Sequence, residues 1–208
     1  LKSLQNCFGL AVYGWHPIAE IQFLGFSVQA FAQLLLQAAR IRMRSQGRFT
    51  CPLVVRAPFG GGVHSFELHS DALEAHFVHT PGLKVVAPAT PYDAKGLLLA
   101  AIADPDPVLF LEPLRSYRAR RQEVPDGSYI LPLGNAALVR AGSDITIIAW
   151  SALVDSALKA AEFLADEGIE AEVIDLRTLS PFDADTIIHS VEKTGRAIVV
   201  HDAFEILY

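Results

Sequence analysis

Short apolar runs alternate with longer helix-period stretches along nearly the whole chain, and this alternation restricts it to an α/β architecture with a largely parallel sheet. "IAEIQF" predicts a strand over 18–23, and "PLVVRAP", "LKVVAP" and "VLFLEP" predict three more. Between them, apolar Phe31, Leu34, Leu35 and Ala38 predict one long helix over 28–43. Ser70 is placed to cap a helix through "DALEAHF", with Asp71 and Glu74 against the positive end of its dipole. Thr90 followed by Pro91 is a helix start, and "DPDP" ends that helix.

From 114 to 143 the alternation fails, as arginines, prolines and isolated glycines break the pattern. It then resumes. "DITIIAW", a helix over 153–167 stopped by Gly168, "EAEVIDL", a helix over 183–193 stopped by Gly195, and "AIVVHDA" make a second βαβαβ series. The expected organisation is a first α/β domain over 1–113, an interdomain connection over 114–143 and a partial second domain over 144–208.

Composition narrows the function. A 208-residue chain with 51% hydrophobic residues can bury a substantial core. Its 17 basic and 23 acidic residues give a net charge of −6, the wrong sign for tracking a phosphate backbone, so no nucleic-acid partner is expected. The most apolar stretch, "FLGFSVQAFAQLLLQAA", is broken by glutamines and leads into arginines, so no membrane span is expected. Two cysteines, Cys7 and Cys51, without metal-ligand spacing, suit a reducing compartment.

The densest cluster of titratable groups is "GGGVHSFELHS", residues 60–70. Its glycines lack dinucleotide spacing, no phosphate-loop lysine follows them, and there is no GxSxG nucleophile turn near the Ser70 hydroxyl. His76 and His79 have no carboxylate at matching spacing and read as helix-surface residues. His69 follows a strand and a glycine loop, the place where open α/β sheets bind ligands, and a histidine there can exchange protons near neutrality. Position alone leaves a structural role equally open.

The blocks "RAPFGGGVHSFELHSDALEAHFVHTPGLKVVAPATPYDAKGLLLAAIADPDPVLFLEP", "GSDITIIAW" and "AEVIDLRTLSPFDADTIIHSVEKTGRAIVVH" closely resemble the beta subunit of the thiamine-diphosphate-dependent decarboxylating component of 2-oxoacid dehydrogenase complexes, of pyruvate or branched-chain type. The resemblance runs from Phe8 to His201. It implies a transketolase-like pyrimidine-binding domain followed by part of a transketolase C-terminal α/β domain. It also implies oxidative decarboxylation of a 2-oxoacid with acyl transfer to a lipoyl-bearing acyltransferase. An alpha subunit would supply the magnesium and diphosphate site in an alpha-2 beta-2 assembly, leaving the isolated chain inactive. The compartment implied is the bacterial cytoplasm, or the mitochondrial matrix for a eukaryotic chain.

Carried over by position, the resemblance makes His69 the active-site histidine facing thiamine and the substrate carboxylate. Phe26 becomes the aromatic against the aminopyrimidine, and Gln22 a neighbouring cofactor contact. Without the resemblance, Phe26 reads as core packing. "AIADPDP" falls where the family holds potassium, which would involve Leu53, Ala101, Ile102, Asp104 and Asp106, mostly through backbone oxygen. Two departures stand out. The family's activating glutamate would fall just before Leu1, and "HDAFEILY" replaces the usual glutamate and glycine-containing continuation, so the chain is expected to be short at both ends. The alternative is a non-catalytic remnant or interaction module of the same fold.

Overall fold

The computed structural model describes residues 2–62 and 66–202. Helix α1 (Lys2–Val12) precedes β1 (Ile18–Glu20), which pairs in parallel with β2 (Val54–Phe59). Between these strands lie α2 (Val28–Leu36) and α3 (Ile41–Arg44). After β2 come α4 (Glu74–Val78), β3 (Lys84–Val86), α5 (Pro91–Ala103) and β4 (Val108–Pro113), and β4 inserts in parallel between β2 and β3. Alternate residues face opposite layers, as strand geometry demands. Val54, Val86, Val108 and Phe110 pack on Leu97 and Ala101 of α5, whereas Val55, Val85 and Leu109 belong to the larger core with Leu24, Leu34 and Phe77.

The second sheet contains β5 (Ala137–Arg140), β6 (Ile145–Ala149), β7 (Ala171–Asp175) and β9 (Ala197–Val199), ordered β5-β7-β6-β9. Helices α6 (Leu153–Asp166) and α7 (Ala184–Thr194) connect its strands. Between β7 and α7, β8 (Thr178–Ser180) leaves this sheet and pairs antiparallel with β3, completing the first sheet as β1-β2-β4-β3-β8. The two domains therefore share a sheet edge. Strand β5 also lies within the stretch expected to be a connection, pairing antiparallel with β7.

Local signals explain the ends of two of the longer helices, α5 and α7. Thr90 accepts the Asp93 amide with Pro91 in the first turn, and Asp183 caps α7 by accepting the Thr186 amide. Gly195 closes α7 at φ 70°.

Three expected elements differ. The helix over 28–43 is broken after Leu36, with a 3₁₀ turn at Ala38–Arg40 before α3. Carbonyls released by the break find partners: Arg40 Nε donates to Leu35 O at 3.2 Å and Arg44 Nη2 to Leu36 O at 2.7 Å. The strand over 18–23 ends at Glu20, because the chain turns into a buried 3₁₀ segment, Leu24–Ser27. Ser70 caps no helix: the Asp71 carbonyl accepts the Gly60 amide at 3.2 Å, closing a loop, and α4 begins only after Leu73.

Candidate active site

The parallel strands deliver their carboxyl ends to one edge, where the segment after β1 meets the loop after β2. Gly25 makes that meeting possible. A Cβ on Gly25 would lie 2.3 Å from Leu68 O, so only a glycine lets the 3₁₀ backbone rest on the loop backbone. Leu68 itself sits at φ 68°, a left-handed conformation that an L side chain adopts only under local constraint.

This contact sets His69 on two aromatic rings. Its imidazole centroid lies 4.7 Å from that of Phe23 and 5.2 Å from that of Phe26, the latter edge-on at 87°. The expected pairing of His69 with Phe26 is thus present in space, and Phe26 is not core: it is 40% exposed. His69 is half-buried, and Gln22 is exposed at the end of the first strand segment. His69 Nδ1 lies 3.0 Å from Glu67 O. A carbonyl can only accept, so Nδ1 carries the proton, and Nε2 is the nitrogen left for a ligand.

Phe23 belongs to the same aromatic cluster and was missed by sequence reasoning, although its spacing three residues before Phe26 in "FLGF" was a usable signal. The Ser70 hydroxyl and Glu74 Oε2 are buried without hydrogen-bond partners among the described residues. Burial pushes the Glu74 carboxyl above the usual carboxylate range. A cavity of about 480 Å³ opens beside α5, bounded by Arg56, Pro91, Lys95, Phe110 and Tyr117, and neither His69 nor Phe26 lines it. The His69 cluster is an open wall.

The expected potassium ligands behave differently. Asp104 is paired with Lys84 at 2.5 Å, and Asp106 with Arg42 at 2.6 Å. Leu53 O accepts the Val108 amide and Ala101 O the Asp104 amide, while Ile102 O lies 2.7 Å from His16 Nδ1. The two carboxylates and the three carbonyls of this set thus each have a partner within the chain, the carbonyls through one hydrogen bond each. Among the described residues, no group of three or more His, Cys, Asp or Glu side chains is placed to hold a metal. Nor is any helix among them long and apolar enough to cross a membrane.

Residues 4–120 match the transketolase pyrimidine-binding domain, and residues 134–207 match the transketolase C-terminal domain. The chain belongs to the transketolase family. The second match contains β5, in keeping with its place in the second sheet. Over 198 residues the chain is 55% identical to the pyruvate dehydrogenase E1 component subunit beta of Acholeplasma laidlawii, covering 95% of this chain and 61% of that protein. The Bacillus subtilis protein of the same name is 56% identical over 195 residues, covering 94% and 60%. The chain thus spans about three-fifths of the length of the relatives it matches. A solved split-gene transketolase, described as an inactive beta4 tetramer, aligns with a TM-score of 0.79 at 23% identity, covering 96% of this chain and 61% of that one. At that identity it supports the fold alone.

Proposed function

We propose that this chain works as the beta subunit of a pyruvate dehydrogenase, in the oxidative decarboxylation of pyruvate with acyl transfer to lipoyl groups. The observation that carries the reading is the exposed wall of Phe23, Phe26 and His69 at the carboxyl edge of the first sheet. The residues fit thiamine diphosphate, because a flat, weakly polar ring is recognised by an aromatic face with a directional polar group beside it. When bound, the cofactor supplies the nucleophile and the electron sink for releasing carbon dioxide from a 2-oxoacid. Phe26 would hold the ring by contact, with Gln22 as a neighbouring polar contact. His69, with Nδ1 fixed by the Glu67 carbonyl, presents Nε2 to accept or return a proton, or as a cation to pair with the substrate carboxylate.

An open wall is half of a site, so the reading includes an alpha subunit that closes it, supplies the magnesium and diphosphate contacts, and forms an alpha-2 beta-2 assembly. Exposed apolar side chains around the wall support this: Val28, Leu36, Phe66 and Leu68 on the nearby helix and loop are all exposed. Ile198 and Val199 on β9 are exposed as well, so exposed apolar surface is not confined to the last strand.

The experiment is H69A in the full-length beta subunit, assembled with its alpha subunit. Removing an acid–base group is expected to lower kcat for pyruvate decarboxylation by about 100-fold or more while leaving assembly intact. Unchanged turnover would overturn the assignment and favour an interaction module.

A further inference from the structure

The loop carrying His69 is tied to the second domain as well as to the first. Gly60, at φ 91°, starts it, and the Gly61 amide donates to Asp202 Oδ2 at 2.9 Å, across 141 positions of sequence. A Cβ on Gly61 would lie 3.2 Å from that carboxylate, a tight contact that would push the side chain away by a few tenths of an ångström. One residue on, Gly62 packs against the Arg115 side chain, whose Nη2 donates to the Ala152 carbonyl at 3.2 Å.

The residues leading to Asp202 are tied to the second sheet. The Val200 amide donates to Ile148 O at 2.9 Å, extending the β6–β9 ladder, and the His201 ring stacks on Trp150 at 5.6 Å and 11°. A carboxylate held this way reports the position of the second sheet directly to the glycine loop. Beside Gly61, the Gly60 amide donates to the Asp71 carbonyl at 3.2 Å, two positions from His69, and Leu68 on the other side of His69 rests against Gly25.

We propose that Asp202 is a positioning residue: it holds the Gly61 amide and, through the neighbouring Gly60 bond to Asp71, fixes the segment that presents His69, making the site's geometry depend on how the second domain is docked. The charge of the carboxylate strengthens the bond to the amide. Asparagine keeps an acceptor oxygen at the same reach, and alanine keeps none. The inference rests on His69 being the site histidine, but its test reads loop position rather than decarboxylation, so the two can fail separately.

The experiment compares parent, D202A and D202N in the full-length chain. Its readout is the rate at which diethyl pyrocarbonate modifies each histidine, followed by peptide mass spectrometry, together with hydrogen exchange of the Gly61 amide. D202A is expected to raise the His69 rate by about fivefold and to deprotect Gly61 by about tenfold, the scale of one charge-assisted hydrogen bond. D202N should stay within about twofold of the parent on both. The exposed His76 and His79 should be unaffected in either variant. An unchanged His69 rate in D202A, equal rises at all three histidines, or failure of D202N to restore the parent values would each overturn the proposal. Should D202A not fold, D202N decides alone: Gly61 protection retained supports the proposal, and protection lost overturns it.

Discussion

The loop after β2 and the turn after α5 both carry charged and polar residues at ends of the same sheet, yet they are finished in opposite ways. Around 104–107 the charged side chains are matched inside the chain, Lys84 with Asp104 and Arg42 with Asp106, and the Leu53, Ala101 and Ile102 carbonyls each accept a hydrogen bond. Around 66–74 the fold leaves accounts open, with an exposed phenylalanine, a histidine nitrogen without a partner requirement met locally, an orphaned hydroxyl and a left-handed leucine. Polar residue types alone do not separate a site from a structural node. What separates them is whether the chain has satisfied those groups itself.

The comparison can be broken most readily at the satisfied end. D104A leaves the part-buried Lys84 ammonium unpaired and removes the acceptor for the Asp106 amide, at 2.9 Å. The expected loss is about 2–3 kcal/mol of unfolding free energy in urea titration, with His69 modification unchanged. If D104A instead abolished a specific dependence of stability on potassium, the turn would be a cation site and the contrast would fall.

A smaller effect sharpens the same distinction. Asp175 Oδ2, at the end of β7 near Asp93 and Arg177, is also buried without a partner among the described residues. Burial pushes this carboxyl up from 3.8 to about 7, opposed by the Arg177 amide. Between those values the folded chain keeps a proton that the unfolded chain has released. Stability is therefore lost as pH rises from about 4 to about 7 and is level above. D175N should abolish that decline, its stability staying level between about pH 4.5 and pH 8 in urea unfolding while the parent's falls. A parallel pH dependence in both chains would show that Asp175 is ionised in the fold and that its orphaned oxygen has been misread.

Local chemistry made much of the fold legible. Thr90 with Pro91, and Asp183 with Gly195, bounded their helices because caps act within a few residues. Strands β2, β4, β6 and β7 were legible because buried strands must be apolar. Long-range geometry was not. Nothing local in Thr178–Ser180 says that it joins β3, whose residues lie some ninety positions earlier. Likewise the break after Leu36 depends on arginines reaching back from a later turn. His69 and Phe26 were found through resemblance and their glycine-loop and strand-end settings. Phe23 required only helical-turn spacing, whereas Asp202 became visible only when the second sheet docked on Gly61.

The most direct test of the account is a structure of the full-length chain with its alpha subunit and bound thiamine diphosphate. The account predicts the aminopyrimidine ring in van der Waals contact with the Phe26 face, roughly 3.5–4 Å away, and His69 Nε2 directed toward the reacting end. A ring seated elsewhere, with Phe26 and His69 covered by a partner surface that leaves no room for it, would contradict the claim that this wall is half of a catalytic site.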